Sequence, residues 1–160
     1  NPNMLRSLGY VFTLDPEIAI PLGGYVDPYG VDDFSEFFEK KMIKKEFVLE
    51  PGMFILGKTY ERVTIKENIG MIIDGRSTLA RLGLMVHQGA ILINPGHGVP
   101  TKRKIVLEIK NNGPFEIVLK PRMPIADCAF FYLETPTQLS YDKHFVYGKK
   151  PDELLPMKEF

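Results

Sequence analysis

Apolar residues in this chain come in short runs, and glycine, proline, asparagine and aspartate stand between them. "EFVLEPGMFILGKTYERVTI", "NIGMIIDG", "GAILINPGHG", "KIVLEIKNNGPFEIVLKP" and "MPIADCAFFYLE" are rich in Ile, Val, Phe and Tyr and are bounded by turn residues. That is the pattern of β-strands. Within 105–109 the period is two: Ile105, Leu107 and Ile109 share one strand face, and Val106 and Glu108 share the other. The run Asn111-Asn112-Gly113-Pro114 predicts a turn, with a hairpin leading into "FEIVLKP".

Two segments have helical character. "VDDFSEFFEKK" opens on Asp32 and Asp33 and closes on Lys40 and Lys41, the order that a helix dipole favours. "RSTLARLGL" is the second, and it stops at Gly83. Many short strands with one or two short helices predict an all-β sandwich or barrel. Nothing marks an internal boundary, so residues 1–160 read as a single domain. From about 137 onward the chain turns polar, with scattered aromatics and prolines, and reads as a C-terminal arm.

Composition narrows the functional classes. Twenty Lys and Arg balance twenty Asp and Glu, so formal net charge is zero. Proteins that bind nucleic acid or membrane surfaces broadly carry a basic excess, so any anion site here is local. The lone cysteine, Cys128, permits no internal disulfide, fits a reducing compartment and reads as a small packed hydrophobe. No apolar run is long enough to cross a bilayer and the first residues carry no signal-peptide pattern, so a cytoplasmic location is expected.

Within this ordinary background, "IIDGRSTLARLGL" puts Arg76, Ser77, Thr78 and Arg81 into a segment that otherwise looks buried. If a strand ends near Gly75 and a helix starts at Ser77, free backbone N–H groups and a hydroxyl face one point. Ser77 and Arg81 then share a helix face, Leu79 and Leu82 point into the core, and Arg76 adds a planar donor suited to phosphate. A solvated helix face capped by Ser77 accounts for the same residues. Glu108 likewise reads either as an exposed carboxylate near Lys104 and Lys110 or as a general acid/base. His87, His97 and His144 lack the spacing of a usual zinc site, though His87 and His97 flank a glycine-rich turn and either could line a pocket.

The order "GRSTLARLGL", "HQGAILINPGHG", "KIVLEIKNNGPFEIVLKPRMPIA" resembles the dCTP deaminase branch of the dUTPase-like superfamily. The family pattern is Gly-Arg-Ser-Ser-Leu-Ala-Arg-Leu-Gly-Leu, then Ile-Asp-Pro-Gly, Thr-Leu-Glu, Asn-x-Gly-Pro and Pro-Gly-Met-x-Ile-Ala, and it covers residues 70–130. The resemblance implies a distorted jelly-roll-like β-barrel, a homotrimer with active sites between subunits, and a deoxynucleoside triphosphate carried with Mg²⁺ and without zinc. It implies that Arg76, Ser77, Thr78 and Arg81 hold phosphates and position the reacting water, with Ser77 and Arg81 beside Glu108 in the catalytic set. Glu108 matches the family's catalytic glutamate. Asn94 and His97 fall at substrate-binding positions, and Tyr147 and Lys149 fall in the closing arm.

Such a protein converts dCTP to dUTP. The alternatives are a dUTP diphosphatase, a bifunctional enzyme giving dUMP, and a non-catalytic nucleotide-binding trimer. Four departures from the pattern bear on that choice. Asn94 replaces the aspartate of Ile-Asp-Pro-Gly, Val11 replaces another aspartate, His97 replaces an aromatic and Gly89 stands where relatives have threonine. An amide at 94 can hydrogen-bond a sugar hydroxyl but cannot act as a base near neutral pH.

Overall fold

The alternation in "KIVLEIKN" becomes an interior strand of a five-stranded sheet. The computed structural model describes residues 2–144, 150 and 152–158. In β9 (Val106–Asn111), Leu107, Ile109 and Asn111 are buried while Val106, Glu108 and Lys110 face outward. β9 pairs on one side with β5 (Phe54–Lys58) and on the other with β7 (Leu84–Met85). Beyond β5 lie β2 (Glu17–Pro21) and then β3 (Phe38–Met42), completing a five-stranded sheet.

A second sheet has the order β1 (Gly9–Thr13), β11 (Pro124–Tyr132), β6 (Ile69–Gly75), β8 (Leu92–Ile93). A third pairs β4 (Phe47–Leu49) with β10 (Ile117–Leu119). All these pairings are antiparallel. Phe12, Leu14, Ile18, Leu49, Ile55, Met71, Ile73, Leu107, Ile109, Leu119 and Ile125 form the shared interior. The result is all-β and jelly-roll-like, with two helices of a single turn each, α1 (Ser77–Ala80) and α2 (Tyr141–His144), among the described residues.

Two local expectations are overturned. Residues 32–41 do not form a helix: Ser35–Phe37 make one 3₁₀ turn, and the chain then runs as β3, paired residue for residue with β2 from Glu17↔Met42 to Pro21↔Phe38. The charge order suits a helix dipole, but a β2 edge offering a full ladder of backbone partners outweighs that weak preference. Nor is the turn after Asn111 a hairpin, because β10 pairs with β4 rather than with β9. The buried Asn111 diverts the chain. Its side-chain amide donates to the carbonyls of Leu49 (2.9 Å) and Phe115 (2.6 Å), and its Oδ1 accepts from Gly113 N–H (3.0 Å).

A joint between α1 and this turn is backbone on backbone. Asn112 N–H donates to the Gly83 carbonyl at 2.8 Å. Gly83 has φ +95°, and a Cβ there would sit 2.2 Å from Gly113 N; one on Gly113 would sit 2.0 Å from the Leu82 carbonyl oxygen. The outer face of the five-stranded sheet is roofed in part by the C-terminal stretch. Leu154 and Leu155, in the segment whose polarity suggests an arm, are buried against Ala19 and Leu56 with Phe38 and Phe54 alongside.

Ile109 is fully buried in β9, so Ile109→Ala is expected to lower unfolding free energy by about 2–5 kcal/mol. Urea denaturation checks this, and a loss below about 1 kcal/mol would mean that β9 is not the packing centre.

Candidate functional site

The strand registers set three outward positions in a row. Ala19 lies opposite Leu56, and Leu56 lies opposite Glu108. Leu154 and Leu155 cover the first two. Glu108 is half-buried at the edge of that cover, on the rim of a cavity of about 700 Å³. The volume suits a nucleotide-sized molecule. Leu56 and Val106 form part of the floor, Asn94 and His97 come from the turn after β8, and Tyr141 and His144 come from α2.

Glu108 is held from one side. Its Oε2 accepts the backbone N–H of Gln88 at 2.6 Å, and its own N–H donates to the Val86 carbonyl at 3.0 Å. Among the described residues nothing engages Oε1. This arrangement fixes the carboxyl group and leaves one oxygen for a proton.

The opposite wall is pinned by the buried Asp142. Its Oδ1 accepts from Gly98 N–H at 3.1 Å and its Oδ2 lies 3.4 Å from Arg103 Nη2, with both side chains almost fully buried. Tyr141 N–H donates to the Pro95 carbonyl at 3.0 Å. Gly96 between them has φ +85°, and a Cβ there would fall 2.1 Å from Ser140 Oγ, so the turn and α2 meet at a position only glycine fits.

His97 is buried in this wall, its ring 5.5 Å from that of Tyr141. Burial, and after it the positive charge of Arg103, lowers its pKa from 6.5 to about 4, while Asp152 pulls the other way. The imidazole is therefore neutral near pH 7. Asn94 is exposed at the cavity edge; its carbonyl accepts from His97 N–H at 3.2 Å, and its side-chain amide is unengaged by described residues.

Arg76, Ser77, Thr78 and Arg81 lie elsewhere. β6 ends at Gly75 and α1 begins at Ser77, where the turn signals put them. None of the four lines the cavity. Arg76 is the cap residue, with extended backbone at φ −89°, ψ 136°, and no side chain caps the turn, so Ser77 does not act as the cap. A single turn has little dipole to offer an anion, so any affinity here rests on the side chains. Leu79 packs on the core as expected, but Leu82 is exposed, because the helix ends before its face is completed. His87 lies away from the cavity lining, with Nε2 2.9 Å from Asp74 Oδ1. Val11 is buried in β1, opposite Asp127. Cys128 is buried as a hydrophobe, and burial raises its thiol pKa. Tyr147 and Lys149 lie outside the described residues.

The carboxylates around the cavity have partners: Asp152 with Arg62 and Lys104 N–H, and Glu153 with Lys40. No three His, Cys, Asp or Glu side chains converge as a metal-holding group among the described residues. No helix among them is long and apolar enough to cross a membrane. The pairing partners Gln88, Arg103, Asp142 and the buried Leu154–Leu155 pair are not singled out by sequence reading. Only "ELLP", an isolated apolar pair in a polar tail, carried a signal.

Fold and site together define a barrel-type all-β protein with a carboxylate-bearing cavity on one face and an arginine–serine turn on another edge. The model of the dCTP deaminase-like family matches residues 5–133, and the chain belongs to that family. It is 36% identical over 136 residues to a dCTP deaminase of Haloarcula marismortui, covering 84% of this chain and 66% of that one. It is 39% identical over 144 residues to a dCTP deaminase of Psychromonas ingrahamii, covering 85% of this chain and 71% of that one. The fold also matches the crystal structure of a 2'-deoxycytidine 5'-triphosphate deaminase from Agrobacterium tumefaciens, with TM-score 0.63, 15% identity, and 81% and 40% of the two chains covered. The chain thus spans about two thirds of the length of the first two relatives and less than half of the third.

Because folding lowers the pKa of His97, the unfolded chain takes up a proton that the folded chain resists. The stability that the neutral imidazole provides is complete above pH 6.5 and is lost as pH falls through 6.5 towards about 4. The loss is expected to reach roughly 3 kcal/mol at the acid end. Denaturant titration across that window should show this slope in the native chain and a shallower one in His97→Phe. Identical slopes would remove His97 as the cause.

Proposed function

We propose that this chain carries out the hydrolytic deamination of dCTP to dUTP with release of ammonia. The observation that carries the reading is the fixing of Glu108 by Gln88 N–H at 2.6 Å, with its second oxygen turned free, on the rim of a nucleotide-sized cavity. Glu108 takes a proton from water as the oxygen attacks cytosine C4. Glu108 passes that proton to the ring nitrogen, takes the second from the hydroxyl now on C4, and delivers it to the departing amine as the tetrahedral carbon collapses. The C4–N bond breaks and the carbonyl of uracil forms. A carboxylate held by one oxygen keeps its orientation through both transfers. Asn94 offers its amide to the sugar, and the neutral His97 forms part of the wall.

The arginine–serine turn supports the second half of the reading. Arg76, Ser77, Thr78 and Arg81 are outside the cavity of their own chain, which is the placement expected if they serve the cavity of a neighbouring copy in a homotrimer. They hold the phosphates, with Ser77 and Arg81 reaching the reacting water. Mg²⁺ arrives with the triphosphate as part of the substrate and is ligated by phosphate oxygens. Tyr147 and Lys149 belong to the closing arm over base or phosphate. The whole of residues 1–160 acts as one domain in the cytoplasm, with neither nucleic acid nor membrane as partner. Asn94, lacking a carboxylate, weighs against a further hydrolysis to dUMP.

Incubating the chain with Mg²⁺ and either dCTP or dUTP, followed by ion-exchange separation, tests the reaction directly. dUTP and ammonia from dCTP are expected. dUMP from either nucleotide would assign a diphosphatase activity, and binding without product would leave a nucleotide-binding trimer.

Glu108→Gln is expected to slow ammonia release by about 10²–10⁴-fold with dCTP binding retained; full turnover in that variant would overturn the mechanism. Arg81→Ala is expected to weaken dCTP binding by about tenfold or more, the scale of a charged hydrogen bond. Unchanged affinity would return Arg81 to a solvated face.

A further inference from the structure

Two aspartates face each other across the ladder between β6 and β11, Asp74 in register with Asp127. Like charges directly opposite one another on a sheet repel, so each carboxylate needs its own compensation. Asp74 has it in the Gly75 N–H, 2.6 Å from Oδ1, and in His87 Nε2 at 2.9 Å. Asp127 is compensated by a different group. Its Oδ1 lies 3.5 Å from Nε of Arg76. Both of these atoms are shielded from solvent and neither has a hydrogen-bond partner among the described residues, so they face each other as a close ion pair. The contact uses the inner edge of the guanidinium. Among the described residues no acceptor meets the terminal Nη1 and Nη2, and the side chain keeps 29% exposure.

The backbone makes this contact possible. Arg76 leaves β6 in extended conformation, and the exposed Ser77, Thr78 and Arg81 follow at once in α1. A free arginine side chain spreads over many rotamers, and fixing it on a ligand costs entropy. One drawn to a carboxylate at Nε has lost part of that freedom. Its two terminal nitrogens keep the fork geometry that matches a phosphate.

We infer that Asp127 is a positioning residue, which grips Arg76 through Nε and presents its terminal guanidinium nitrogens to the nucleotide phosphates beside Ser77, Thr78 and Arg81. The inference rests on the nucleotide reading given under Proposed function and adds to it a residue from a different strand. It also fixes a sign. A carboxylate acting on the site by charge alone would repel phosphate, and its removal would tighten binding; a carboxylate acting as a grip weakens binding when it is lost.

Calorimetric titration of dCTP into the native chain, D127A, R76A, the double variant and D127N separates these. D127A is expected to weaken binding by about tenfold when Arg76 is present and by less than about twofold in the R76A background, a coupling of the size found between contacting residues. D127N, which keeps an acceptor for Nε, is expected to recover most of the loss. It also guards against a fold defect in D127A. Equal losses with and without Arg76, tighter binding in D127A, or no recovery in D127N would each overturn the inference while leaving the nucleotide reading in place. Failure of the native chain to bind dCTP would overturn both.

Discussion

One buried carboxylate ties the cavity together. Asp142 meets the backbone of the 94–98 turn with one oxygen and the guanidinium of Arg103 with the other, in a site that is nearly dry. Removing one member of a buried charge pair leaves the other stranded, at a cost of about 3–5 kcal/mol. The turn carries Asn94 and His97, and α2 carries Tyr141 and His144, so four lining residues depend on one side chain. Glu108 is independent of it. Its position follows from the β9 register and from Gln88, which places the rigid carboxylate and the clamped wall on separate supports.

That division continues at larger scale. Cavity and arginine–serine turn lie on different parts of the same chain, joined through β7, which connects α1 to the strand carrying Glu108. In the proposed trimer each cavity would draw cations from a neighbour, so that catalysis and assembly share the same residues. Such a design would let the proposed phosphate-holding residues stay exposed in one chain without collapsing onto its own carboxylates. Asp127 is the exception, a local acid kept against Arg76 and turned to orienting it.

Much of this arrangement was legible in the sequence. The period-two burial of Ile105, Leu107 and Ile109, the break between Gly75 and Ser77 and the packed Cys128 follow from local chemistry alone. The family pattern added Glu108, Asn94 and His97, which the fold brings to one cavity. What escaped depends on partners distant in the chain. Residues 32–41 have helical charge order and still become a strand, because β2 supplies the ladder. The turn after Asn111 looks like a hairpin, but Asn111 bonds to Leu49 and Phe115 and sends the strand to another sheet. Asp142 and Arg103, like Leu154 and Leu56, are far apart in the chain and meet only in the fold, so no short window of the sequence contains both members.

The contact between Gly83 and Gly113 has a bearing on how this surface can evolve. A side chain on Gly83 would meet the backbone of Gly113 and one on Gly113 would meet the Leu82 carbonyl, and because both obstacles are backbone, a substitution at either has no compensating substitution at the other. Positions locked in this way act as a fixed hinge pin in sequence space. The exposed residues of α1 between Gly75 and Gly83 can drift in identity, and under the proposed phosphate role so would the choice of anion, while the angle at which that turn leaves the barrel stays constant.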